Sequence, residues 1–181
     1  MAGPGKGRAG RTPTLPGVTV LDAAWWVVCV VLVASGATKL VDPSSTETVL
    51  SRLGVRVPGG TGRALALVEL AAGVGGLVLT GGTGRAVAVL VALAYLGFAG
   101  VVLAARRAGL DDCGCIGVRP RRPTLLHAGI DVASAAVAAA AAVVGPTDLA
   151  AGLGSVGMPW SALVGLAVAV AAGLLVALPG D

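Results

Sequence analysis

Long apolar runs, each separated from the next by a short polar segment, constrain the fold of this chain more than any other feature. An α-helix needs about 20 mostly apolar residues to cross a bilayer. Runs of this kind cover residues 21–41, 63–80, 86–105, 125–145 and 160–178. Hydrophobic residues make up 56% of the chain and charged residues 12%, whereas a soluble domain carries about twice that share of charge. The sequence therefore predicts an all-α integral membrane protein: a bundle of four core transmembrane helices and a fifth, C-terminal helix.

The segments around the four core runs predict the domain boundaries. Residues 1–20 are rich in Gly, Pro and basic residues and are expected to form a disordered tail. Residues 21–145 are predicted to form the membrane bundle, and residues 146–181 a Gly-rich loop and the C-terminal transmembrane helix. The small residues at 34–36 resemble a signal-peptide cleavage site, but the apolar run continues beyond them, which favours a membrane helix.

Two polar segments are predicted to lie on the same side of the membrane, because successive membrane helices alternate in direction. They are residues 42–62, with one short interfacial helix near residues 46–53, and residues 106–124. We call this side face X. The sequence GGTGR at residues 81–85 predicts a tight turn on the opposite side.

Basic residues are distributed unevenly between the two sides. Nine belong to face X: Lys39, Arg52, Arg56, Arg63, Arg106, Arg107, Arg119, Arg121 and Arg122. Four belong to the other side: Lys6, Arg8, Arg11 and Arg85. The positive-inside rule would therefore place face X in the cytoplasm. No basic patch is interleaved with aromatic residues, so the expected partner of the chain is the lipid bilayer and not a nucleic acid.

Ionisable residues at membrane depth are concentrated near face X. Lys39 and Asp42 end the first run, Glu69 lies roughly 9 Å into the second run at 1.5 Å per residue, and His127 and Asp131 form an i, i+4 pair at the start of the fourth. Such residues are costly in a membrane and usually face the bundle interior. Lys39 is expected to pair with Asp42 or Glu69 and to lock two helices together, or to act with Glu69 in function. His127 either works beside Asp131 or faces the lipid headgroups.

Two of the three cysteines form a Cys-Gly-Cys motif in the face-X segment before the fourth run. Cys113 and Cys115 can close a small, strained disulfide suited to exchange, with Gly114 providing the backbone freedom that a tight ring needs. Two alternatives are metal binding by both cysteines with His127, although structural zinc usually takes four ligands, and inert packing. Cys29 lies in mid-membrane and is expected to be a packing residue.

Three motifs in this order resemble the MauE family of methylamine-utilisation membrane proteins, which are grouped with DoxX-like proteins. The motifs are Ser35-Gly36-x-x-Lys39-Leu40-x-Asp42-Pro43, then Val68-Glu69-Leu70, then Cys113-Gly114-Cys115-x-Gly117. The resemblance covers about residues 21–145. Family members usually have Phe where this chain has Ile116, and Arg or Asn is frequent near the position of His127.

The resemblance implies a redox-associated function in the plasma membrane. Cys113 and Cys115 would cycle between dithiol and disulfide, and Glu69 with Lys39 would relay protons or hold the bundle. The implied partner is a thioredoxin-like or disulfide-containing exported protein, which requires face X to be outside, against the charge bias. A weaker likeness to vitamin K epoxide reductase implies a quinone as electron acceptor. The alternative is a non-catalytic assembly factor that binds an exported or redox partner.

Overall fold

Six α-helices make up the regular structure in the described part of a computed structural model of the chain, which comprises residues 19–113, 122–155 and 165–166. The helices are α1 (Val20–Val41), α2 (Ser44–Arg52), α3 (Thr61–Val78), α4 (Gly81–Arg107), α5 (Leu125–Val144) and α6 (Leu149–Ser155). Four of them, α1, α3, α4 and α5, are long and apolar enough to cross a membrane. The prediction of an all-α membrane bundle with four core helices is confirmed. Residues 1–18 of the tail predicted at residues 1–20 lie outside the described residues, as does most of the predicted C-terminal helix, whereas Thr19 caps α1 and Val20 is its first residue.

Two local predictions were wrong, and in both cases glycine was interpreted as a helix breaker. The predicted turn at residues 81–85 is the first turn of α4, so only Leu79 and Thr80 connect α3 to α4. A Cβ atom on Gly84 would lie 2.5 Å from the Leu79 carbonyl oxygen and 2.9 Å from Cγ of Pro146. Glycine is therefore required at this position for close packing. The predicted Gly-rich loop likewise contains α6.

The bundle consists of two closely packed helix pairs, α1 with α3 and α4 with α5, joined by contacts of α3 with α4 and of α1 with α5. Small residues let the backbones of α1 and α3 approach. A Cβ atom on Gly36 would lie 2.8 Å from the Ala66 carbonyl oxygen, and one on Gly73 would lie 2.9 Å from the Cys29 carbonyl oxygen. Close backbone packing of this kind takes over the role that the hydrophobic effect has in water.

The end of the bundle opposite face X is held by side chains at the start of α1. Thr19 and Asp22 form a capping box, and the Asp22 carboxylate also accepts a hydrogen bond from the Thr147 hydroxyl. The Trp26 indole N–H donates to the Thr147 carbonyl oxygen at 3.1 Å. The segment after α5 is thereby fixed to the start of α1, and the opposite ends of these helices are held in register at face X.

At face X, the short helix α2 is fixed by hydrogen bonds at its N-terminus and at Glu47 in its first turn. Asp42, at the end of α1, accepts hydrogen bonds from the backbone N–H and the hydroxyl of Ser44 at 3.2 and 2.6 Å. Glu47 accepts hydrogen bonds from the backbone N–H groups of Gly60 and Gly62 at 3.1 and 3.0 Å. Because the first N–H groups of a helix have no partner within the helix, Glu47 caps the N-terminus of α3.

Candidate functional site

A buried ion pair between α1 and α3 forms the centre of the candidate site. The Lys39 ammonium nitrogen lies 2.5 Å from Oε1 of Glu69, and each side chain is 1% exposed. Glu69 is eight residues from the start of α3, which corresponds to a depth of about 12 Å at 1.5 Å per residue. Of the two partners that the sequence allowed for Lys39, the structure selects Glu69.

Two further side chains complete the surroundings of the Lys39 ammonium group. It donates a hydrogen bond to the Ser35 hydroxyl at 3.1 Å and lies 4.6 Å from the centre of the Phe98 ring. The Ser35 hydroxyl also interacts with the Glu69 carboxylate, while Oε2 of Glu69 is buried with no hydrogen-bond partner. The buried charge of Lys39 is therefore balanced by a carboxylate, a hydroxyl and an aromatic face, each of which stabilises a cation.

Two aromatic residues of α4 belong to this site and were missed in the sequence. Phe98 packs edge-on against Tyr95, with ring centres 5.7 Å apart, and the buried Tyr95 hydroxyl donates to the Val28 carbonyl oxygen at 2.8 Å. These are the one tyrosine and the one phenylalanine of the chain. Their i, i+3 spacing, which puts them on one helix face, was the signal that could have found them.

Asp131 is the one ionisable residue on the buried stripe of α5, whose other members are alanines: Ala128, Ala135, Ala138 and Ala141. Its side chain is 5% exposed, and its Oδ2 atom has no hydrogen-bond partner. Asp131 lies within electrostatic range of His127, Cys113 and Lys39, and Tyr95 lies within electrostatic range of both Asp131 and Glu69. The polar residues of α1, α3, α4 and α5 therefore converge on one region of the bundle.

Cys113 lies at the face-X end of this region. It is 2% exposed and packs in a small apolar cluster with Val102 and Ala105 of α4 and Ala128 of α5. The cluster closes the bundle between the end of α4 and the start of α5. The remaining predicted residues of the motif, Gly114 and Cys115, lie outside the described residues.

The other predicted site residues have different surroundings. Asp42 is half-buried and caps α2, so it does not pair with Lys39. His127 is half-buried in the first turn of α5, where its backbone N–H is capped by the Thr124 hydroxyl at 3.1 Å. Cys29 is fully buried below Trp25 and Gly76, more than two helix turns from Lys39 along α1.

The donor groups of the core constrain what this site could bind. Within residues 19–113 and 122–155, no three His, Cys, Asp or Glu side chains converge as metal ligands do. The N–H groups of Trp25 and Trp26 and the O–H of Tyr95 all donate to backbone carbonyl oxygens. These three donors are therefore committed and do not fit a quinone carbonyl. What the site offers is a paired charge, two carboxyl groups and a thiol.

Comparison with known proteins shows the family to which the chain belongs. No curated protein and no solved structure matches the chain. A family model, described as methylamine utilisation protein MauE, matches residues 18–148. This match contains all four candidate membrane helices and the polar cluster, including Lys39, Glu69, Asp131 and Cys113. The chain is therefore a multi-pass membrane protein and belongs to the MauE family of methylamine utilisation proteins.

Proposed function

We propose that this protein is a thiol–disulfide redox protein of the plasma membrane that supports disulfide formation in exported proteins. The observation that carries the proposal is the position of Cys113, buried at one end of the bundle and within electrostatic range of a buried acid. A cysteine that only fills space in the core needs no ionisable neighbour. Ionisable residues buried in a membrane are costly, and they mark functional positions.

The two cysteines have different tasks in this proposal. Because Cys113 is 2% exposed, an incoming partner attacks Cys115, and Cys113 is the sulfur that leaves towards the bundle. A thiolate of the exported client attacks the Cys113–Cys115 disulfide, and the second thiol of the client then displaces Cys115 from the mixed disulfide. The client loses two electrons and two protons, and the membrane pair gains them as two thiols.

The reduced pair returns to the disulfide by passing two electrons and two protons to a disulfide of a thioredoxin-like partner. This cycle needs no quinone, and it requires face X to be outside the cytoplasm, where disulfides persist. The Lys39–Glu69 pair fixes α1 against α3 and keeps the polar region in place below the cysteines. Its close pairing, at 2.5 Å, supports this holding role.

The experiment that tests the proposal is thiol labelling in intact cells with a membrane-impermeant maleimide, before and after reduction. The starting protein carries Cys29→Ala, so that every remaining thiol belongs to the pair. The matched blank carries Cys113→Ser and Cys115→Ser in addition. We expect labelling only after reduction, and a reversible dithiol–disulfide equilibrium when the purified protein is titrated with a glutathione redox buffer.

Two results would contradict the proposal. Labelling that requires permeabilised cells would place face X in the cytoplasm, where such a pair is rarely stable. Normal maturation of disulfide-containing exported proteins in cells with the doubly substituted protein would instead favour a non-catalytic assembly factor.

A further inference from the structure

The acid below Cys113 supports a further inference, which rests on the proposed function and deepens it. We propose that Asp131 holds a proton while the cysteine pair is oxidised and gives it to the Cys113 sulfur when the disulfide opens. His127 connects Asp131 to face X and returns the proton. Asp131 then acts as the internal acid of the disulfide-opening step.

The geometry that supports this role is the stacking of Cys113 and Asp131 along one face of α5. Cys113 packs on Ala128, and Asp131 lies three residues further along the buried stripe. Three residues correspond to about 4.5 Å along a helix, so Asp131 is the next buried side chain below the thiol. The two groups are within electrostatic range.

The burial of Asp131 favours a protonated carboxyl group. Lys39 and Glu69 neutralise each other at 2.5 Å, which leaves an ionised Asp131 as an additional negative charge at membrane depth. Its Oδ2 atom has no hydrogen-bond partner, and a buried charge without a partner is far more costly than a neutral acid.

Titratable groups face Asp131 from each of the neighbouring elements. They are His127 on α5, Cys113 after α4, Tyr95 on α4 and Lys39 on α1, while α3 contributes Glu69 through its pair with Lys39. Of these groups, His127 is half-buried in the first turn of α5 at face X. It is therefore suited to carry a proton between Asp131 and the solvent.

The surroundings of Cys113 make an internal acid necessary. When a client thiolate attacks Cys115, the Cys113 sulfur leaves with the electron pair of the S–S bond. It leaves into a cluster of Val102, Ala105 and Ala128, where a thiolate is poorly solvated. Transfer of the Asp131 proton converts the leaving thiolate into a thiol. Asp131 regains a proton through His127, and the proton that the client thiol gave to the solvent balances it.

Asp131→Asn tests this inference, because asparagine is close in size but cannot donate an acidic proton. The measurement is the rate at which dithiothreitol opens the oxidised pair in purified protein, followed across a range of pH. General acid catalysis contributes about 10²–10⁴-fold, so we expect Asp131→Asn to slow opening by at least about tenfold and to leave a pH profile that follows only the thiolate fraction of dithiothreitol. The control is Asp111→Asn, which removes a nearby acid whose side chain is 91% exposed, and we expect it to change the rate less than about twofold.

Two further measurements separate a chemical role from a structural one. Asp131→Glu keeps the acid and is expected to open faster than Asp131→Asn, even if both substitutions lower stability. The infrared difference spectrum between oxidised and reduced protein should contain a shifted carboxylic acid band, because the protonated Asp131 faces a disulfide in one state and a thiol in the other, and Asp131→Asn should remove this band.

The possible outcomes distinguish this inference from the proposed function. A pair that titrates reversibly but opens at the same rate with and without the Asp131 carboxyl group overturns the role of Asp131 and leaves the proposed function standing. A pair that forms no disulfide in any redox buffer overturns both.

Discussion

At the scale of single residues, Lys39 and Glu69 depend on each other more than any other two side chains in the described bundle. Each is 1% exposed, and neither can reach water from its position between α1 and α3. Removing one partner of a buried ion pair leaves an uncompensated charge, whereas replacing both with apolar residues is often neutral or stabilising. This asymmetry allows the structural role of the pair to be separated from any chemical role.

We expect Lys39→Met and Glu69→Leu, each alone, to lower the free energy of unfolding by about 3–5 kcal/mol. We expect the double variant to be about as stable as the native protein, because neither charge is then left alone. Thermal unfolding in detergent, followed by far-UV circular dichroism, measures all three. Additive losses in the double variant would contradict the dependence of each charge on the other. A stable double variant that no longer supports disulfide formation would assign the pair a part in the chemistry.

Gly76 is a position where the neighbouring side chains leave room for a hydrogen atom but not for a methyl group. A Cβ atom at this position would lie 2.5 Å from Sγ of Cys29 and 2.8 Å from Cζ2 of Trp25. We expect Gly76→Ala to destabilise the bundle by about 1–3 kcal/mol through overpacking, measured by the same thermal unfolding. Gly97→Ala is the matched control, since nothing lies within 4 Å of its Cβ position. This control should be neutral or stabilising by up to about 1 kcal/mol.

A second substitution tests the cause of the Gly76 effect. Cys29→Ala removes the nearest atom, so the combined variant should recover part of the loss, with the remainder due to Trp25. No recovery at all would mean that the sulfur is not what limits the space at Gly76.

The roles of some of these residues could be predicted from the sequence, and the roles of others could not. Burial of Lys39 and Glu69 follows from their place in apolar runs, so their importance was predictable. The choice between Asp42 and Glu69 as the partner of Lys39 was not, because it depends on a hydrogen bond that Asp42 accepts from the Ser44 hydroxyl. Tyr95 was missed because its i, i+3 spacing with Phe98 marks one face of α4 but does not show whether that face is the core or the lipid-facing side.

At the scale of elements, α2 shows how a short helix can stabilise a long one. The side chain of Glu47 reaches the unpaired N–H groups at the start of α3, and its negative charge also suits the positive end of the helix dipole. Gly60 and Gly62 leave room there: Gly60 has a φ of 91°, and a Cβ atom on Gly62 would lie 2.5 Å from the Pro43 carbonyl oxygen.

We expect Glu47→Ala to destabilise the start of α3 by about 1 kcal/mol, the usual cost of a lost cap. Amide hydrogen exchange should show the loss in the first turn of α3 and leave α5 unchanged. Thr48→Ala, an exposed neighbour on α2, serves as the control and should leave exchange in α3 as it is. Uniform acceleration across all helices would indicate global destabilisation and contradict a capping role.

The elements themselves were largely predictable, because an apolar run of about 20 residues has few alternatives in a membrane. The interfacial helix expected near residues 46–53 corresponds to α2, Ser44–Arg52. The start of α4 and the presence of α6 were not predicted, because glycine has two roles that sequence alone does not distinguish. At Gly152 a Cβ atom would lie 2.4 Å from the Trp26 ring, so this glycine serves close packing within a helix.

At the scale of the whole molecule, the two ends of the bundle differ in character. The face-X end contains the buried ionisable residues and Cys113, whereas the opposite end is closed by hydrogen bonds between Thr147 and residues Asp22 and Trp26. The compartment that the face-X end contacts is the compartment that the cysteine pair can serve. The excess of basic residues and the proposed function favour opposite orientations.

We expect face X to be outside the cytoplasm, and a pair of introduced cysteines can test this without involving the functional pair. In a chain with Cys29→Ala, Cys113→Ser and Cys115→Ser, the substitutions Arg56→Cys and Gly82→Cys place single thiols at exposed positions on opposite sides. An impermeant maleimide added to intact cells should label Arg56→Cys and should label Gly82→Cys only after permeabilisation. The reverse pattern would show that the basic residues determine the orientation.

The burial of Cys29 between Trp25 and Gly76 gives this protein a built-in reporter of its own opening. The thiol is 0% exposed, so a permeant maleimide can reach it only while α1 and α3 are apart. In a chain whose other two cysteines are replaced by serine, the labelling rate then measures how often the bundle opens, as amide exchange does for buried backbone groups. The stability of the protein can thus be followed in native membranes, with no denaturant and no cysteine introduced at a new position.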